Sequence, residues 1–235
     1  MKTIKNIATR TYQISACAAF CLIFISACSA LPAPPVHPVV YDFGPGSVEP
    51  VVPRPPTAAR SALVLADIQS PGVAVSSTAL HYRLAYDDAQ QLRAYQGARW
   101  SRPPAELVRQ SVTSELAQQW PVLDSLSARE AARGAAGAAA GAGSAVNAGA
   151  MLVLRLDIEE FSQVFSSAAQ SSGVLRLRAT LAQTTPQGER LRGQRLFVAQ
   201  SPAASQDAAG GSAAMARAAQ QVAHELALWI EPAAR

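Results

Sequence analysis

Two stretches decide the fold class: Leu152-Val153-Leu154-Arg155-Leu156-Asp157-Ile158-Glu159, and then Gly173-Val174-Leu175-Arg176-Leu177-Arg178-Ala179-Thr180-Leu181. Apolar and polar residues alternate in both, the period of a strand with one buried face. In the first, which runs over Met151–Phe165, Leu152, Leu154, Leu156 and Ile158 share one face, and Arg155, Asp157 and Glu159 the other. In the second, Leu175, Leu177, Ala179 and Leu181 point inward, and Arg176 and Arg178 outward. If the two pair as an antiparallel hairpin, acids on one strand oppose arginines on the next, worth roughly 0.2–1 kcal/mol per pair.

Downstream, Pro186-Gln187-Gly188 reads as a turn into a strand near Gln194–Gln200. The period then changes. Ser212 is a candidate cap for a helix in which Met215, Ala219, Val222, Leu226 and Trp229 or Ile230 follow 3–4 spacing. Upstream, Ser101 is a candidate cap, Pro103 and Pro104 fit a first turn, and Leu107, Val108, Val112 and Leu116 form an apolar stripe running to Trp120, before Pro121. Before that helix come the near-continuous apolar run Ala62–Ile68, the alternating Leu80–Tyr86, a weaker strand at Gln91–Tyr95 across the Asp87-Asp88 turn, and a short candidate at Val39–Phe43. The order is three or four strands, a helix, three strands and a helix: a single α+β sheet-and-helix domain over residues 39–232. Residues of about 125–150 interrupt it. Ala131–Ala150 is almost all alanine and glycine, and glycine costs about 1 kcal/mol relative to alanine in a helix, so the tract reads as a loop-like insertion.

The N-terminus carries an address. Lys2, Lys5 and Arg10 precede an apolar run from Ile14 to Ile25 that is short for a bilayer span, which needs about 17–25 residues. Ile25-Ser26-Ala27-Cys28 follows and resembles the lipobox of bacterial lipoproteins, in which the cysteine takes a diacylglyceryl thioether and becomes the new N-terminus. Residues 1–27 are thus expected to be a cleaved signal peptide, with Cys28 the lipidated residue and its acyl chains, palmitate among them, the membrane anchor. Residues 28–38 include Pro32, Pro34, Pro35 and Pro38, a tether that excludes helix and favours extended polyproline II. A second proline-rich stretch runs from Pro45 to Pro56. Ser29 matches the pattern associated with outer-membrane sorting, where an aspartate would mark inner-membrane retention.

Processing also limits the chemistry. Cys17 and Cys21 leave with the signal and Cys28 is acylated, so no thiol remains for a disulfide, a metal or a nucleophile. The formal charge of +4 includes the three signal cations, and 4 − 3 leaves +1, no footprint for nucleic acid. After residue 27 every basic side chain except histidine is arginine, which excludes a P-loop lysine, a Schiff base and a Ser-Lys dyad. His37, His81 and His224 fall in no metal-binding spacing, and His224-Glu225 diverge on a helix. Asp87-Asp88 reads as a solvated turn, and Glu159-Glu160, as strand neighbours, point apart. No catalytic site, cofactor site or metal site is expected.

The feature left over is a run of aromatic residues and arginines: Tyr82, Arg83, Tyr86, Arg93, Tyr95, Arg99, Trp100 and Arg102. Strand alternation assigns Tyr82, Tyr86 and Trp100 to the core. Read instead as a docking surface, because Tyr, Trp and Arg anchor interfaces, it offers Arg93, Tyr95, Arg99 and Trp100 as partner contacts, with Arg93 and Tyr95 facing away from Leu92 and Ala94.

Several segments together resemble the ABC-type transport auxiliary lipoproteins. They are Tyr41-Asp42-Phe43-Gly44-Pro45, Leu80-His81-Tyr82-Arg83-Leu84-Ala85-Tyr86, Tyr95, Arg99-Trp100, Pro103-Pro104, Leu156-Asp157-Ile158-Glu159-Glu160-Phe161 and Gly173–Leu181. The resemblance implies an outer-membrane lipoprotein facing the periplasm, partnered by an ABC permease, its ATPase and an MCE-domain protein in Mla-like or paraquat-inducible (Pqi) systems. Such systems move phospholipid or other hydrophobic molecules; this chain would dock and hydrolyse nothing. A structural or assembly lipoprotein and a lipid carrier are the other classes the sequence leaves open, as is assembly into a homo-oligomer.

Overall fold

The computed structural model describes residues 37–45, 62–70, 77–138, 151–185 and 187–234. The signal peptide with Cys28, nearly all of the tether, the second proline-rich stretch and residues 139–150 of the Ala/Gly insertion lie outside these.

Among the described residues eight strands form one sheet. They are β1 (Val39–Tyr41), β2 (Leu63–Leu65), β3 (Ala79–Leu84), β4 (Asp88–Trp100), β5 (Val122–Asp124), β6 (Leu152–Ser167), β7 (Gln170–Thr185) and β8 (Gly188–Pro202). Three helices, α1 (Pro104–Leu116), α2 (Ser125–Ala138) and α3 (Ala208–Ile230), are followed by a 3-10 turn at Glu231–Ala234. This is the mixed α+β architecture that the alternating hairpin and the 3–4 spaced stripes predict.

The β6–β7–β8 meander is its spine. Leu154 pairs with Leu181, Leu156 with Ala179 and Ile158 with Leu177, so the inward faces coincide along the hairpin. On the other side of β6, β2 and β3 both run parallel to it, end to end: Leu63–Leu65 beside Leu152–Leu154, and Tyr82–Leu84 beside Gln163–Phe165. A bridge between Gln69 and Asp157 lies between them. From there β5 extends the sheet beyond β2, while β4 and then β1 extend it beyond β3.

Helices α1 and α3 close one face. Val108, Val112 and Leu116 of α1 and Ala219, Val222, Leu226 and Ile230 of α3 join Leu154, Leu156, Leu175, Leu177 and Phe197 in the main core. The close seat of α3 needs glycine: a Cβ on Gly173 would overlap the backbone of Ala214 and Met215. Burial of such leucine side chains is worth roughly 1.5–3 kcal/mol each.

Four local expectations are corrected. Ser101 caps no helix: Pro103 holds the cap position of α1 without a side-chain bond, and the Ser101 hydroxyl bonds the Asp42 carboxylate instead. Nor does Ser212 cap α3. Asp207 does, accepting from the Gly210 N–H at 2.8 Å, while Ser212 lies inside the helix and donates to the Ala209 carbonyl. The loop expected from residue 125 is a helix as far as Ala138. Its start is fixed by Asp124, which accepts from the Ser127 N–H at 2.7 Å, and glycine is absent before Gly134, so the glycine penalty falls only on its end. Finally, β4 is far longer than Gln91–Tyr95.

Candidate docking surface

The β3–β4 ribbon carries most of the aromatic and arginine run, and each of its faces is tied to β6 by a different chemistry. On the helix side, Tyr82 lies against Tyr95 with ring centroids 4.6 Å apart and meets Phe165 edge-on at 6.0 Å. The Tyr95 hydroxyl donates to Gln163 Oε1 at 2.8 Å, and Gln163 Nε2 donates to Ser171 Oγ at 2.7 Å. Gln163 is fully buried, so these bonds satisfy an amide that would otherwise be costly. Gly211, in the first turn of α3, leaves the space that this amide fills. Burial, reinforced by Tyr82 and Asp207, pushes the Tyr95 phenol up to about 12, which keeps it a donor.

On the open side, Arg83 grips Glu160 with two bonds of 3.0 Å and donates to the Gln90 carbonyl at 2.9 Å. Burial holds the neighbouring His81 below its ordinary pKa, with Glu160 opposing and Arg83 adding to the effect. A bulge in β6 between Ile158 and Glu160 shifts the register here, so the helix-facing residues change from Ile158 to Phe161, Gln163 and Phe165. It also overturns the expectation that Glu159 and Glu160 point apart. Glu160 lies opposite Arg176, and Glu159 takes hydrogen bonds from both Arg176 and Arg178 on the same open face. Those arginine bonds hold the Glu159 carboxyl below its ordinary pKa.

The predicted contact residues separate. Trp100 is 1% exposed and packs with Phe43 and Phe161 at 5.6 Å each, so it is core, as strand alternation has it, and not a contact surface. Tyr95 is half-buried in the polar network above, which corrects its reading as an exposed residue. Arg93 is partly exposed and pairs with Asp87 at 3.4 Å, and Arg99 is exposed. The structure therefore leaves Arg93 and Arg99 at the surface and withdraws the two aromatics. Tyr86, assigned to the core, is 52% exposed beyond the end of β3. Along the outer edge of β4, β1 covers only Ala98–Trp100, and no other described strand covers the rest.

The remaining ionisable candidates have structural roles. Asp88 accepts from the Gln90 N–H at 2.9 Å in the hairpin turn. His224 Nδ1 lies 3.0 Å from Glu115 Oε1, joining α3 to α1, and Glu225 accepts from Gln221. Between these helices lies a groove of about 320 Å³ lined largely by polar side chains, among them Gln110, Ser114, Gln118 and Gln220. Among the described residues no helix is long and apolar enough to cross a membrane.

Comparison with known proteins gives a family and relatives of the same fold. A family model described as the ABC-type transport auxiliary lipoprotein component matches residues 46–227. A crystal structure of a DUF330-family protein from Xanthomonas campestris shares the fold at a TM-score of 0.54 and 19% identity, over 85% of this chain and 88% of that one. Another, of an uncharacterized protein, gives 0.50 and 12% identity over 83% and 99% of the respective chains. No curated protein matches the sequence.

Proposed function

The chain belongs to the ABC-type transport auxiliary lipoprotein family, and on that premise we propose that it is the membrane-anchored docking component of an ABC/MCE-type transporter. The cargo is phospholipid or another hydrophobic molecule moved across the envelope. Its partners are an MCE-domain protein and the ABC permease with its ATPase. The chain contributes binding and position, and the ATP chemistry resides on the ATPase partner. That division is supported by the absence of any lysine after residue 27, since a P-loop needs one.

The family match over residues 46–227 carries this reading. Cys28, standing after Ser26-Ala27, supplies the anchor as the lipidated residue, and Ser29 favours the outer membrane, with the domain on its periplasmic face. The described chain then supports a defined docking element. β1, the first strand after the tether, pairs with β4, and the β3–β4 ribbon beside it is held rigidly on β6 while presenting Arg93 and Arg99 outward. A rigid ribbon lowers the ordering cost of docking.

Replacing Cys28 by alanine tests the anchored part. The expected result is an unlipidated protein, released from the membrane fraction, that folds but fails to restore envelope integrity in cells lacking the native copy. Full complementation by the released form would contradict anchored docking.

A further inference from the structure

The opposite edge of the sheet has a different character. β8 is paired only with β7, so its outer edge bears no strand among the described residues. Its arginines and its exposed aliphatic residues separate by face, the aliphatic face also carrying Gln194 and Glu189, the latter paired with Arg155. Arg190 and Arg195 lie opposite Gln183 and Ala179 on the helix-bearing side, and Arg192 occupies the register shift between Leu191 and Gly193. Leu191, Leu196 and Val198 lie on the open side, Leu191 being 64% and Val198 49% exposed. None of the three arginines faces a carboxylate among the described residues: Arg192 reaches Gln183 at 3.4 Å, and Arg195 lies 4.8 Å over the Phe197 ring. This contrasts with β4, where Arg93 is neutralised by Asp87, and with Arg155, which is neutralised by Glu189.

An unpaired edge with this alternation matches a strand whose own residues alternate acidic and apolar. We infer, on the docking reading above, that the Gly188–Val198 stretch of β8 receives an extended acidic segment of a protein partner by strand addition. Carboxylates on one side of the incoming strand meet Arg190, Arg192 and Arg195, and apolar residues on its other side lie beside Leu191, Leu196 and Val198. Charge disfavours a second copy of β8 as the occupant, because two-fold pairing centred on the arginine half sets arginine against arginine.

The test uses the full lipidated chain in nanodiscs of zwitterionic phospholipid and a short fluorescent peptide of alternating glutamate and valine. Anisotropy titration is expected to show saturable binding that weakens with salt, with a lysine–valine peptide not binding. The double variant Arg190→Glu, Arg192→Glu is expected to weaken binding about tenfold or more, and Arg129→Glu, at an exposed position of α2 remote in sequence from β8, to leave it unchanged. Both exposed arginines of the double variant lack ion pairs among the described residues, and an unchanged unfolding midpoint verifies the fold. Equal binding by the double variant overturns the inference. So does loss of peptide binding when the discs contain anionic phospholipid, since the arginines then face the membrane, and so does self-association of the wild type that the double variant abolishes. If the double variant still captures transporter subunits with wild-type yield, the transport reading stands and the β8 site falls. If the wild type captures none yet binds the peptide as described, the transport reading falls and the β8 site stands.

Discussion

The Tyr95 hydroxyl donates to Gln163 Oε1 at 2.8 Å and so fastens the β3–β4 ribbon to a fully buried amide of β6 beneath the first turn of α3. A residue that reads as a surface contact in sequence is the pin that holds the ribbon in place. Removing the hydroxyl leaves an amide oxygen without its donor. Tyr95→Phe is expected to lower unfolding free energy by about 1–3 kcal/mol, measured by denaturant titration. A Tyr95→Phe, Gln163→Leu double variant should recover part of that loss.

The same phenol sets an alkaline limit. Its folded pKa is raised to about 12 from 10.0, chiefly by burial. A raised pKa means its contribution is complete below the unfolded value and is lost as pH rises through the folded one. Stability should therefore decline between pH 10 and about 12. Tyr95→Phe should flatten that decline in unfolding curves collected across the range.

At the acid end, Glu159 works in the other direction. Its pKa is lowered by hydrogen bonds from Arg176 and then Arg178. Its contribution is present above the unfolded pKa, near 4.5, and disappears as pH falls through the lower folded value. NMR titration of its side-chain carbon should place the midpoint below 4.5, and Arg178→Gln should move it upward.

Gly173 tests the packing of α3. A Cβ there meets the backbone of Ala214 and Met215, which no side-chain rotation relieves. Gly173→Ala should destabilise by about 1–3 kcal/mol. Gly97, where a Cβ meets nothing within 4 Å, should tolerate alanine in the same assay.

How far sequence reaches is visible in particular residues. Leu152 to Ile158 and Leu175 to Leu181 alternate because both strands bury one face, so the hairpin and its inward residues were legible. So was the α3 stripe, since Met215, Ala219, Val222, Leu226 and Ile230 all have 0% exposure. The bulge at Glu159 was not: register depends on which partner residue lies opposite, a non-local fact. β4 was underestimated because Asp88 to Gly97 is a largely exposed edge with little apolar alternation to mark it. β5, only three residues long, is a strand because β2 lies beside it. Of the four contact residues, Arg93 and Arg99 remain at the surface, while burial of Tyr95 and Trp100 depended on Gln163, Phe43 and Phe161, all distant in sequence.

The central claim is association with a transport system, and affinity capture of the lipidated chain from detergent-solubilised envelopes, with mass spectrometry of what it retains, addresses it most directly. The account predicts an MCE-domain protein together with an ABC permease and its ATPase, lost or diminished when Cys28 is replaced by alanine. Recovery of an unrelated outer-membrane assembly, with no MCE or permease subunit, would contradict it.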